Sequence, residues 1–567
     1  MKFIELFTFY SKFVRRRQFI ILSLSIFATF LETLGFLTLA PLLSYTGSEM
    51  PENESGAINI LMDIFKFDPK MENILIFLVT AFVLKGIILW GMLKYLGDTR
   101  ANLLFSLRQK LLILFGQSVL ITNNEISHGE QVNIFSKQTE CVAQLYFSLI
   151  SVLTLLTSAI VFGVVSFVMS PLVTLCGLVT GLFYWFLMNK VNILVSDVSN
   201  KRSVQESDLV QESYQFVSGF EYFKSTNRVK AIQNRLLQIY KKIKILDYSM
   251  STLQSFSQAF REPVLVCVLA LMIFLSYQAT SGGVGELLVS LLLMFKALGA
   301  LMGVQSSYAA ALSNSGSLTL YTKELERLEK IIENSGNTLF DFKSEIKFEN
   351  VSYQYPGTKN LILENVSFSI KKGEKIAITG VSGSGKSTLL RLILLHIIPT
   401  AGVVYIDGIN SKNYNKKSFR NKIGFVPQKL NVISGSILEN ISLGRSNSKD
   451  ALSLCREFLK IVSLNDLSKD KSYLTDRSVL GSDTKLSGGQ IQRLCVAREL
   501  YGDAEIYLLD EASSALDDDT QTKLKNSLNH YLKDKTIIFV THRENFISEV
   551  DKLIELSNGT AKTSIKS

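Results

Sequence analysis

The chain reads as multidomain, an all-α membrane domain of six long transmembrane helices followed by a soluble α/β domain. Three observations predict this division. Apolar runs of bilayer-spanning length are confined to residues 1–320, and only 19% of the 567 residues are charged, against roughly 25% in soluble proteins. Residues 345–567 instead show short alternating and apolar strand patterns between helical ones. Within them, Gly380-Val-Ser-Gly-Ser-Gly385-Lys386-Ser387 lies between an apolar strand pattern, Ile376 to Thr379, and the helical start Thr388-Leu389-Leu390.

From the N-terminus, Phe3, Phe7, Tyr10 and Val14 share a helical face. They predict a short helix in the membrane interface. A span needs about 20 apolar residues, and six stretches qualify: about 19–45, 73–96, 141–168, 172–195, 256–279 and 285–310. The first is too long for a cleavable signal peptide. Arg15 to Arg17 and the basic residues of 224–244 mark the cytoplasmic side, so both termini are expected there. A net charge of +10 is explained by these flanks, and no nucleic-acid partner is expected. The expected setting is an integral membrane protein of a bacterial inner membrane.

Segments 97–140 and 196–255 are polar but helix-patterned, whereas Ser170-Pro171 and Thr280 to Gly283 leave only tight external turns. Helices running well past the bilayer into the cytosol follow. Residues 313–332 continue the sixth span as a polar helix, and Glu333 to Asn337 breaks it. This sets the expected domains at 1–332 and 338–567. The five cysteines lack C-x-x-C spacing and are expected as buried thiols in a reducing compartment.

Glu32, Lys85 and Lys296 fall inside predicted spans, where charge is costly. They are candidate substrate contacts lining a water-filled cavity. A structural Glu32–Lys85 pair, or snorkelling of the lysines, is the competing reading.

The G-x-x-x-x-G-K-S pattern predicts a phosphate cradle. Glycines Gly380, Gly383 and Gly385 let the loop bend, so that N–H groups around Ser382 and Ser384 point at phosphate oxygens. The following helix presents its positive end to the same anion. Lys386 would bridge the β- and γ-phosphates, Ser387 would ligate Mg²⁺, and Thr388 completes the loop. Glu505-Ile-Tyr-Leu-Leu-Asp510-Glu511 reads as a buried strand ending in two carboxylates. Asp510 would reach the Mg²⁺, and Glu511 would orient and deprotonate the attacking water. Leu486-Ser487-Gly488-Gly489-Gln490 opens a helix and predicts a second anion site. Two cradles in one chain make sense if two chains face each other, each ATP lying between one loop and the other chain's Ser-Gly-Gly.

At these residues the sequence resembles the ATP-binding cassette (ABC) transporters, whose signature is LSGGQ. Six spans and one cassette resemble an exporter half-transporter over nearly the whole chain, which implies that the second domain is an α/β P-loop ATPase. The resemblance implies that Tyr355 stacks on adenine and that Gln428 of GFVPQ senses Mg²⁺ and nucleotide. It also implies that Asp517 of the Ser514-Ala-Leu-Asp517 segment communicates across a dimer, and that His542 contacts the γ-phosphate. ATP and Mg²⁺ are the implied cofactors and a second copy of the chain the implied partner. Coupling segments are expected near Asn123–Gln131 and Gly219–Asn227. Before the signature, Gly481 to Lys485 is one residue shorter than the run of many exporters and lacks its glutamate.

The implied activity is ATP-driven movement of an amphipathic substrate from the cytoplasmic side, across the membrane or between its leaflets. LETLGFLTLAPLL in the first span is similar to the lipid-linked oligosaccharide flippases; a peptide or drug exporter and an ATP-gated channel are the alternatives. With no peptidase domain ahead of the first span, a leader-cleaving exporter is not expected.

Overall fold

The computed structural model describes residues 9–11, 13–14, 16–39, 71–120, 128–279, 284–445, 450–468, 474–476, 486–511, 516–541 and 547–565. They form two compact units, the second made of the chain from Glu333 onward together with Val119 and Leu120.

The first unit is helical: α1 (Arg17–Leu37), α2 (Met71–Gln117), α3 (His128–Asn133), α4 (Thr139–Met169), α5 (Pro171–Ser218), α6 (Phe220–Ser225), α7 (Val229–Ala259), α8 (Arg261–Ala279), α9 (Val284–Leu312) and α10 (Ser315–Lys330). Six helical stretches among the described residues are long and apolar enough to cross a membrane. With 47 and 48 residues, α2 and α5 are each about 70 Å long, against about 30 Å of bilayer core. Their apolar outer faces carry exposed Ile76, Val79, Trp90, Leu182 and Phe186, as lipid contact requires. Pro171 opens α5, where a missing N–H costs nothing.

Hydroxyls and amides hold the helices where apolar contact alone gives little specificity. Asn192 on α5 and Gln305 on α9 exchange amide hydrogen bonds of 3.2 and 2.9 Å, both side chains buried. Tyr10 donates to the Val142 carbonyl (2.8 Å), and Tyr321 on α10 to that of Leu107 (3.1 Å). Between α3 and α4 the chain makes a π turn over Ile134–Gln138, and the Thr139 hydroxyl donates to the Ile134 carbonyl (2.6 Å).

The second unit holds β1 (Glu345–Tyr353), β2 (Leu363–Lys371), β3 (Lys375–Gly380), α11 (Lys386–Ile393), β4 (Ala401–Ile406), β5 (Ile409–Asn410), α12 (Lys416–Arg420), β6 (Ile423–Val426), α13 (Ile437–Ser442), α14 (Ala451–Ile461), α15 (Gly488–Tyr501), β7 (Ile506–Asp510), α16 (Asp518–Tyr531), β8 (Thr536–Val540), β9 (Lys552–Ser557) and β10 (Thr560–Ile565). An antiparallel sheet runs β2-β1-β4-β5, and a larger one β10-β9-β3-β8-β7-β6, parallel from β9 to β6. The central strands are apolar on both faces because both are covered: Ile376 to Ile378 and Thr536 to Val540 are buried throughout. The edge strand β10 is polar and exposed, which discourages further pairing.

Candidate nucleotide site

The parallel sheet sets the site by register. Ile378, Val540 and Asp510 align across β3, β8 and β7, and Leu509 aligns with Val426 of β6. The loops that leave these strands therefore emerge at one edge, the carboxyl ends, where ligands bind in parallel α/β sheets. The glycine loop follows β3, Asp510 and Glu511 end β7, and Gln428 lies two residues beyond β6.

Gly380, Gly383 and Gly385 have φ of +144°, +82° and +103°. At Gly380 a Cβ would lie 2.3 Å from the Leu556 carbonyl oxygen, so the left-handed conformation and the close approach both demand glycine. Among the described residues the buried Ser384 hydroxyl has no hydrogen-bond partner, while Ser382 and Ser387 are exposed at the loop. The Lys386 ammonium lies back on the carbonyls of Gly380 and Val381. A cradle with an orphaned hydroxyl and a lysine satisfied by its own loop fits a phosphate group.

Gln428 donates through Nε2 to Glu511 Oε2 (2.7 Å). Glu511 has φ +52°, uncommon for a residue with a Cβ, and its N–H donates to the Val540 carbonyl (2.9 Å). Burial raises the Asp510 pKa, neighbouring Glu511 adds to the rise, and Lys386 opposes it. A carboxylate pressed toward its neutral form, with Ser387 and Gln428 at the same edge, fits a site for a hard divalent cation.

Tyr355 packs edge-on against Tyr353, with ring centroids 5.1 Å apart. Its hydroxyl lies 3.2 Å from Thr388 Oγ1 and accepts from Arg391 Nη1 (2.8 Å), which ties it to α11. Ser487 caps α15 in a reciprocal box: its hydroxyl accepts from the Gln490 N–H (3.3 Å), and Gln490 Oε1 accepts from the Ser487 N–H (2.9 Å). Ser487 and Gly488 are exposed, and Gly489 is half-buried. Asp517 caps α16 by accepting from the Thr520 N–H (3.0 Å), which holds its carboxyl below the usual range. His542, Ser514 and the run Gly481 to Lys485 lie outside the described residues.

One residue at this site escapes the motif reading. Gln492, buried on α15, donates to the Glu511 carbonyl (2.9 Å) and ties the signature helix to the strained residue after β7. Its signal is only positional, two residues beyond LSGGQ.

Residues 363–514 match the ABC transporter family, and residues 19–304, half of the chain, match the ABC transporter transmembrane region. This chain belongs to the ABC transporters. ABC transporter B family member 13 of Arabidopsis thaliana is 34% identical over 227 residues, which cover 40% of this chain and 18% of that protein. An uncharacterized ABC transporter ATP-binding protein of Haemophilus influenzae is 34% identical over 283 residues, 49% and 46% of the two chains. A putative multidrug export ATP-binding/permease protein of Staphylococcus aureus is 38% identical over 217 residues, 38% and 37%. The chain thus spans less than half the length of these curated relatives. A bacterial Atm1-family ABC exporter with ATP bound superposes over 97% of this ABC transporter and 95% of its own chain, with a TM-score of 0.77 and 19% identity, a likeness of fold.

In the membrane unit, Glu32 of α1 meets both candidate lysines: Lys85 of α2 at 2.8 Å and Lys296 of α9 at 3.2 Å. The pairing reading captures half of this, because the carboxylate serves two ammonium groups. Near the far end of α5, the short helix α6 lies within the predicted coupling segment, beside exposed Val217, Phe220 and Tyr222. The other coupling segment is described only from His128.

Proposed function

We propose that this ABC transporter is an ATP-driven exporter or flippase that works as a pair of identical subunits and moves an amphipathic substrate from the cytoplasmic side. The observation that carries this reading is the convergence of the Lys386 loop, Asp510, Glu511 and Gln428 at one sheet edge, with Ser487 exposed at the start of α15.

In this reading the Lys386 ammonium exchanges its loop carbonyls for β- and γ-phosphate oxygens, a charge-assisted contact. Backbone N–H groups between Gly383 and Thr388 and the Ser384 hydroxyl complete the cradle. Tyr355 stacks on the adenine. Ser387, Asp510 and Gln428 would hold Mg²⁺, which when bound neutralises charge developing on the phosphates. Glu511 accepts the proton of the attacking water once Gln428 releases its carboxylate, and His542 contacts the γ-phosphate. Ser487, Gly488, Gly489 and Gln490 of one subunit close over the ATP held by the other, and Asp517 lies at that contact. The fuel then acts as a ligand with different affinity for open and closed pairs.

The test is ATP-dependent movement of fluorescent lipids, lipid-linked sugars, peptides and drugs in vesicles containing the purified protein. The reading expects vectorial movement that disappears in Glu511→Gln. Single-channel current without net pumping would replace it with an ATP-gated channel.

A further inference from the structure

We propose that Glu32, Lys85 and Lys296 form a seat for the anionic head of an amphiphile, a phosphate or carboxylate carried on an apolar chain. This rests on the reading of the chain as a transporter of an amphipathic substrate and names the substrate's chemical class.

The three residues come from α1, α2 and α9, far apart in sequence. Both carboxylate oxygens of Glu32 are engaged, one by each lysine. The cluster therefore carries one negative and two positive charges. Among the described residues neither lysine has a second acidic partner within ion-pair distance. An ammonium has three donors, and each lysine gives one to Glu32. An unbalanced positive charge at membrane depth is costly, and ionisable groups there characteristically mark substrate pathways. A second anion, supplied from outside the chain, balances this one.

The surroundings specify what carries that anion. Lys85 lies 5.5 Å over the Phe82 ring and Lys296 5.2 Å over the Phe36 ring. The two rings meet edge to face at 5.4 Å. At Gly35 a Cβ would come within 2.7 Å of Phe82 Cε2, so glycine there lets this aromatic floor form. The Glu32 side chain is 12% exposed, whereas those of Lys85 and Lys296 are 24% and 41% exposed. The two ammonium-bearing side chains are thus more accessible than the carboxylate that pairs them. Charge above an aromatic, apolar floor matches a head group with an attached chain better than a free, fully hydrated ion.

The test is equilibrium binding of radiolabelled dodecyl phosphate to the full-length protein in phosphatidylcholine nanodiscs without ATP, with dodecylphosphocholine and inorganic phosphate as competitors. Saturable binding is expected, displaced by dodecylphosphocholine only at roughly tenfold higher concentration and by inorganic phosphate more weakly still. Lys85→Gln and Lys296→Gln should each weaken it roughly tenfold. Lys85→Arg and Lys296→Arg, which keep the charge, should retain it. Glu32→Gln should bind at least as tightly as the parent, because it removes the competing carboxylate. Equal competition by dodecylphosphocholine, or loss of binding in Glu32→Gln protein that still elutes as a folded species, would overturn the anion seat. Equal competition by inorganic phosphate would overturn the amphiphile. Since binding is read without ATP, failure here is separate from failure of ATP-driven movement in vesicles, which tests the transport reading itself.

Discussion

Lys386 and Glu511 are each held by neighbours that a nucleotide would displace, the lysine by the carbonyls of Gly380 and Val381 and the glutamate by Gln428. Their substitutions should therefore differ in kind. Lys386→Ala removes a charge that would contact phosphate directly, so ATP affinity should fall about ten- to a hundredfold and turnover with it. Glu511→Gln keeps the shape and loses only the proton acceptor, so binding should persist while steady hydrolysis falls by about 10²–10⁴. Nucleotide binding and phosphate release on the same preparations separate the two effects. The loop glycines, Lys386, Asp510 and Glu511 are legible in the sequence because each stands at a fixed place in a motif. The Lys296 contact to Glu32 was not, because helix pairing decides which distant charges meet.

Helix α15 shows how an element can carry more than its motif. Ser487 and Gln490 cap it, as a Ser-x-x-Gln pattern allows, and one turn of the same helix brings Gln492 to the Glu511 carbonyl. Gln492 is a positioning residue in this account, because it acts through the backbone of Glu511. Gln492→Ala should lower kcat for ATP several-fold and leave KM nearly unchanged, whereas general unfolding of the site would shift both; steady-state kinetics at varied ATP decides. Element lengths were partly legible. The polar, helix-patterned segments between spans announce the extensions that α2 and α5 make past the bilayer, but hydropathy alone stops near the membrane surface. The π turn at Ile134–Gln138 has no comparable signal, since one extra residue in a turn leaves the surrounding periodicity nearly intact. Nor does an isolated Asn192 or Gln305 in an apolar run reveal its partner; only the packing of α5 on α9 does.

For the molecule as a whole, burial of one imidazole gives a pH dependence in the ATPase unit. Burial lowers the His396 pKa from 6.5 to about 4; Arg420 adds to the fall, Glu333 opposes it, and Arg391 and Lys416 lower it further. The folded unit thus favours neutral His396, while the unfolded chain protonates it near 6.5. Its contribution to stability is complete above 6.5 and is lost as pH falls toward about 4, by about 1–3 kcal/mol. His396→Gln should flatten this part of the thermal-unfolding profile across that range, as measured by calorimetry of the full-length protein.

The proposed mechanism requires two subunits to share each ATP. Its most direct measurement is cross-linking of Ser382→Cys, Ser487→Cys protein in which Cys141, Cys176, Cys267, Cys455 and Cys495 are replaced by serine or alanine and Glu511 by Gln. ATP should produce a species of doubled mass, joined between residue 382 of one subunit and residue 487 of its partner, and omission of ATP should abolish it. Cross-links only within one chain, or a doubled species indifferent to ATP, would contradict the shared site.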